Sequence, residues 1–215
     1  MPARLLVAVA VAAERKAILA GLPSGHPVTV AVVGVGPAAA AAVTARLLAL
    51  AEAGGQPYDA VVSAGIAGGF TGRAGLGDLV LATRSVAADL GAVAPDGFQT
   101  LDELGFGSTV VAVGGPLTEA LRSALPAAGA GAVLTVSTVT GTAESADELA
   151  ARHPDALAEA MEGYGVGCAA ALSAVPFAEL RAVSNLVGPR DRSAWRVSDA
   201  LAALTAAAPA FLLDA

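Results

Sequence analysis

Apolar residues in this chain come in short unbroken runs, separated by stretches that mix alanine, glycine and charged residues. Short runs rich in valine and leucine, with no polar alternation, read as strands buried on both faces. Such runs fall at residues 4–12, 28–33, 60–63, 79–83, 109–113, 132–139 and 177–183. Helical patterns start at Arg15, run from Pro37 to about residue 53, and cover 116–125, with proline at the start, and 143–152. Residues 63–69, Ser-Ala-Gly-Ile-Ala-Gly-Gly, read as a glycine-rich turn after the third strand. The glycines would let backbone amides approach a ligand. Residues 85–107 lack clear periodicity, with Asp89, Asp96, Phe98, Asp102 and Phe106 among glycines, and read as a functional or interface loop. Strands and helices alternate without repeat or linker. The expectation is a single α/β domain over 1–215, a three-layer α/β/α sandwich around a mainly parallel mixed sheet.

In such folds ligands sit beyond the carboxyl ends of the strands. The run at 177–183 leads into Asn185 and then a Gly188-Pro189 loop, which makes Asn185 a candidate site residue. Glu162 precedes sixteen residues without formal charge and is the second candidate. Glu14 directly follows the first strand. It is either an acid stabilising a helix N-terminus through the macrodipole or a catalytic base at a strand end. Gly34-x-Gly36-x-x-Ala39 follows a strand and opens a helix, as a dinucleotide fingerprint does. That fingerprint needs an acid at the end of the next strand, where this chain has Ser63-Ala64-Gly65, so a nicotinamide site is disfavoured. The turn at 63–69 also lacks the lysine of a P-loop.

Composition removes several classes. Hydrophobic residues make up 55% of the chain. Proline and glycine interrupt every uncharged stretch before the roughly 20 residues a bilayer crossing needs. A single Arg4 before a short apolar run, followed by Glu14-Arg15-Lys16, is poor signal-peptide grammar, so a soluble cytoplasmic protein is expected. A net charge of −7 and one lysine, Lys16, argue against nucleic-acid binding. Cys168 stands alone, and His26 and His153 are far apart, so neither a disulfide framework nor a zinc site is expected. Chemistry must rest on carboxylates, amides, hydroxyls and backbone.

Five segments, taken in order, resemble the nucleoside phosphorylase and nucleosidase family. They are Ala13-Glu14; Gly34-Val35-Gly36; Ala64-Gly65-Ile66-Ala67-Gly68-Gly69 with Gly77-Asp78; Ala160-Met161-Glu162-Gly163; and Val175-Pro176-Phe177 through Arg181-Ala182-Val183-Ser184-Asn185. The tail from Asn185 to Trp195 is similar to the branch that hydrolyses futalosine. The resemblance implies cleavage of an N-glycosidic bond without metal or organic cofactor, in a homodimer or larger homo-oligomer. Glu14 would be the base for the attacking water, Glu162 would hold the ribose hydroxyls and Met161 would pack on the sugar. Asn185 would meet the purine at N7. Ile66, Ala67 and Gly68 would line the site, with Thr140 and Gly141 near the ring.

Two departures refine that expectation. Adenine-specific nucleosidases carry aspartate where this chain has Asn185. An amide offers two N–H donors and one acceptor, a set that matches the O6, N7 and N1–H of hypoxanthine. Phosphorylases of the family carry an arginine where this chain has Ser63, which favours water over phosphate, although Arg73 or Arg84 remains within reach in sequence terms. Arg190 or Arg192 would pair with a carboxylate at the substrate's far end. Trp195 is read as core, and Tyr164 as helix packing. The alternatives are a phosphorylase or nucleosidase for another 6-oxopurine nucleoside, and a non-catalytic nucleotide-binding module.

Overall fold

The computed structural model describes residues 4–95 and 97–213. The buried valines and leucines of β1 (Leu5–Val9) place it inside the sheet, between β2 (Thr29–Val32) and β3 (Ala60–Gly69), parallel to both. β10 (Phe177–Leu186) runs parallel to β3 along nearly its whole length and antiparallel to β4 (Leu79–Ala87). β4 continues to β8 (Gly129–Thr135) in parallel and to β7 (Val110–Ala112) in antiparallel. β8 is parallel to β9 (Ala156–Ala160), and β9 returns to the far end of β3.

The mixed α/β architecture with a mainly parallel sheet is therefore present. It carries one addition: because β3 is ten residues long, its start pairs with β1 and its end with β9. Strands β3, β10, β4, β8 and β9 thereby close on themselves. Helices α1 (Ala12–Gly21), α4 (Gly115–Ala124) and α7 (Val197–Ala207) bury Ile18, Leu121 and Leu204 against one face. Helices α2 (Pro37–Ala53) and α6 (Gly163–Leu172) bury Leu48 and Val166 against the other. Helix α5 (Ala143–Arg152) packs Leu149 beside β8. Truncating any of these buried side chains to alanine costs about 2–5 kcal/mol.

Four expectations about the elements change. Residues 63–69 are no turn but the second half of β3, because their backbone groups pair with β10 and β9. The sixth strand ends at Thr135, several residues early, which leaves Thr140 and Gly141 on a loop. The 85–107 segment is not structureless. It completes β4, then forms a hairpin of β5 (Gly91–Ala94) with β6 (Gly97–Thr100) and a single helical turn, α3 (Leu101–Leu104). Thr100 and Glu103 cap that turn reciprocally, and Asp96 lies outside the described residues. Strand β9, Ala-Leu-Ala-Glu-Ala, gives no apolar run to read and was not expected. No helix among the described residues is long and apolar enough to cross a membrane.

Candidate active site

Glu14 occupies the third position of α1, directly after β1. Its Oε2 accepts the N–H groups of Ala10 and Val11, at 2.8 and 3.1 Å, and so caps its own helix. Its Oε1 accepts the N–H of Ile66 on β3 at 2.9 Å. The helix-capping role is therefore present, and the capping acid is also turned towards the strand ends. Burial pushes its carboxyl above the ordinary value of 4.5, against the lowering by the Ile66 N–H and by the Arg181 charge. Gly65 makes this placement possible. A Cβ there would lie 2.5 Å from Glu14 Oε1 and 3.0 Å from Arg181 Nη1.

Glu162 stands at the junction of β9 and α6, buried, 126 positions from the Gly36 N–H that approaches its Oε1 at 3.4 Å. The glycine pair that imitates a dinucleotide fingerprint thus aims an amide at a carboxylate rather than at a phosphate. The other oxygen of Glu162 pairs with Arg181 Nη1 at 3.2 Å. Arg181 is itself fully buried on β10. It also donates from Nε to Glu179 at 2.9 Å and from Nη2 to Ser63 Oγ at 3.0 Å.

Asn185 lies four positions further along the same strand. The register of β10 against β3 slips between Val183 and Asn185, leaving Ser184 as the extra residue. A bulge of this kind re-aims the following side chain. Ser184 Oγ then donates to Asn185 Oδ1 at 2.8 Å, and Asn185 Nδ2 donates to the Leu186 carbonyl at 3.0 Å. The amide's acceptor is therefore engaged within the protein, and one N–H remains to face a ligand.

These groups surround one cavity of about 260 Å³, close to the lower end, roughly 300 Å³, of the usual small-molecule range. Glu14, Ile66, Ala67, Gly68, Thr140, Met161, Glu162, Asn185 and Arg190 all line it. Gly141 does not line it; its Cα faces the stem of Arg190. Trp195 is half-buried rather than core. It lines the cavity, with the guanidinium groups of Arg190 and Arg192 each 5.7 Å from its ring. Tyr164 packs on α6 and donates to the Ser108 carbonyl at 2.7 Å, away from the cavity.

Arg73 holds the carbonyls of Ala150, His153 and Ala156, and Arg84 pairs with Asp155, so neither guanidinium lines the cavity. Two residues went unread in the sequence. Arg181 was hidden in a run taken as apolar, although opposite charges at Glu179 and Arg181, two apart on a strand, share one face. Glu159 lies on the strand that was not expected. Its buried carboxylate lines the cavity and accepts from the backbone and hydroxyl of Thr140.

Comparison with known proteins gives this arrangement a family. The profile described as the phosphorylase superfamily matches residues 7–214. The chain belongs to that superfamily. Among curated members it is 53% identical to a futalosine hydrolase of Streptomyces coelicolor, over 94% of this chain and 92% of that protein. It is 45% identical to a futalosine hydrolase of Acidothermus cellulolyticus, over 94% and 87% respectively. The fold is shared with a solved 5′-methylthioadenosine/S-adenosylhomocysteine nucleosidase from Colwellia psychrerythraea 34H in complex with adenine. That match has a TM-score of 0.83 at 20% identity and covers 99% of this chain and 95% of that one.

Proposed function

We propose that the chain hydrolyses the N-glycosidic bond of futalosine, releasing hypoxanthine and dehypoxanthine futalosine. The observation that carries this reading is the convergence of Glu14, Glu162 and Asn185 on one cavity, in a chain whose relatives at 53% and 45% identity are futalosine hydrolases.

In the proposed mechanism the bond between the sugar and the purine stretches first, and the ribose gains oxocarbenium character. Glu162 accepts from the ribose hydroxyls and offsets the growing positive charge, while Met161 packs on the sugar. Glu14 takes a proton from the attacking water, a contribution of roughly 10² to 10⁴ in rate. Its raised proton affinity suits that work better than an ordinary carboxylate would. The free N–H of Asn185 meets N7 as negative charge builds on the base, worth about 3 kcal/mol for a preorganised donor. Ile66, Ala67 and Gly68 form the wall beside the sugar, and Thr140 sits near the ring. Arg190, stacked on Trp195 at the cavity's edge, meets the carboxylate end of the substrate.

Water rather than phosphate is the nucleophile. A guanidinium does reach Ser63, but it is Arg181, whose nitrogens are taken by Glu162, Glu179 and Ser63. A phosphate entering here would meet the carboxylates of Glu14 and Glu162 with no uncommitted cation among the cavity-lining residues next to them. The mechanism requires only these side chains and backbone groups.

The reading extends to a single cytoplasmic domain without nucleic-acid partners, serving menaquinone synthesis as a homodimer or larger homo-oligomer. Val93 and Phe106, 90% and 80% exposed on the hairpin and its following turn, support a contact between copies. Purified protein given futalosine and inosine in parallel tests the substrate. Hypoxanthine release from futalosine well above that from inosine is expected. Efficient inosine cleavage with futalosine untouched would replace the reading by another 6-oxopurine nucleosidase.

A further inference from the structure

Glu159 has no part in the mechanism above, yet its carboxylate is buried at the cavity wall. Its position is fixed by two registers. Glu159 pairs with Gly68 across β9 and β3, and Gly68 pairs with Asn185 across β3 and β10. The two polar side chains therefore flank a residue that has none, at the same level of three adjacent strands. A Cβ on Gly68 would fall 3.2 Å from Asn185 Nδ2 and 3.0 Å from Val187 Cγ2. With no side chain on Gly68, Asn185 and Val187 close over it, and Glu159 and Asn185 both face the one cavity.

The donor and acceptor inventory on the two sides is unequal. Asn185 presents an N–H, while its oxygen is engaged by Ser184. Glu159 accepts the Thr140 N–H at 2.9 Å on one oxygen and the Thr140 hydroxyl on the other. A carboxylate has about four acceptor sites, so two remain. Burial pushes its carboxyl above the ordinary value of 4.5, against the lowering by its two Thr140 hydrogen bonds. Hypoxanthine carries two acceptors, N7 and O6, on one edge and the N1–H donor next to them. The one free N–H of Asn185 serves this acceptor edge, and the amide oxygen is already engaged by Ser184, so the N1 proton calls for a second acceptor.

We propose that Glu159 is the base-specificity residue: its carboxylate accepts the N1–H of a 6-oxopurine and opposes the N1 lone pair of a 6-aminopurine. The assignment rests on the purine nucleoside reading above. A site built to pair a donor rejects the analogue lacking it far more strongly than a missing methylene would allow.

The test compares futalosine with its counterpart bearing adenine in place of hypoxanthine, by kcat/KM for base release. In Glu159→Gln the Thr140 N–H still finds an amide oxygen, and the Thr140 hydroxyl can turn to accept from the amide nitrogen. The new N–H can then serve the N1 of adenine. The oxo-to-amino preference is expected to fall at least 100-fold, partly through a gain on the amino substrate. Thr140→Val, which removes one anchor but keeps the carboxylate, is expected to slow both substrates together. Equal losses on both substrates in Glu159→Gln would make Glu159 a loop anchor and overturn the assignment. Should that variant not fold, inhibition of the wild type by 1-methylhypoxanthine decides. At least tenfold weaker inhibition than by hypoxanthine is expected, and equal inhibition overturns the assignment. Wild-type release of hypoxanthine from futalosine is the control. Its failure sinks the functional reading and this assignment together, whereas an unmoved preference with an active wild type sinks the assignment alone.

Discussion

Arg181 on β10 and Glu162 at the start of α6 form a buried ion pair, Nη1 to Oε2 at 3.2 Å. Glu179 holds the same guanidinium at 2.9 Å, so one cation sits among the carboxylates of Glu14, Glu162 and Glu179. Removing it would leave uncompensated charge in the interior. Arg181→Met is expected to destabilise the fold by about 3–5 kcal/mol, read as a lower midpoint in denaturant. Because the pair also orients Glu162, variants that still fold should show a raised KM.

Glu14→Gln is expected to reduce kcat by at least about 10² while leaving ligand affinity within a few-fold. All three groups on the carboxylate are N–H donors. An amide must turn its own NH2 towards at least one of them, so a stability loss of about 1–3 kcal/mol accompanies the change. Parallel measurement of kcat, dissociation constant and melting temperature checks both. Affinity falling as far as kcat would reduce Glu14 to a structural part.

The pH dependence follows from burial. The carboxyls of Glu14, Glu159 and Glu179 are held above 4.5, burial being the largest cause in each. The folded state then binds these protons more tightly than the unfolded chain does. Their contribution to stability is fully present below 4.5 and is lost as pH rises through the higher folded values. Activity runs the other way, since the base must be ionised. The acid limb of kcat/KM is expected above 4.5, and the contribution of Glu14 to that limb should be lost from the residual activity of Glu14→Gln.

Gly65→Ala would place a methyl group against Glu14 and Arg181. Displacing a catalytic group by about 1 Å can cost 10²-fold. A kcat loss of that order, with a folded protein by circular dichroism, is expected.

Much of this was legible in the residues because strand ends and acids coincide. Glu14 after one valine-rich run and Asn185 after another are visible as polar groups closing apolar segments. Arg181 and Glu159 were not, for a shared reason. The Glu179–Arg181 spacing showed one of the arginine's partners, but nothing local showed that it would also face Glu162. A charge in an alanine-rich stretch such as Ala-Leu-Ala-Glu-Ala likewise carries no sign of what it will face. Arg181 meets Glu162 only because β10 and the β9–α6 junction are neighbours in space. The glycines at 63–69 were misread for a related reason. Glycine signals both turns and close approach, and here the approach of Glu14 and Asn185 to a continuing strand is what needs it. Trp195 was read as core, whereas it lines the cavity with the guanidinium groups of Arg190 and Arg192 beside its ring.

The most direct test of water as the nucleophile and futalosine as the substrate is hypoxanthine release from futalosine by the purified protein, with and without inorganic phosphate. The account predicts equal rates in both conditions and a free sugar hydroxyl on the product. Release that requires phosphate, with a sugar 1-phosphate as product, would contradict it.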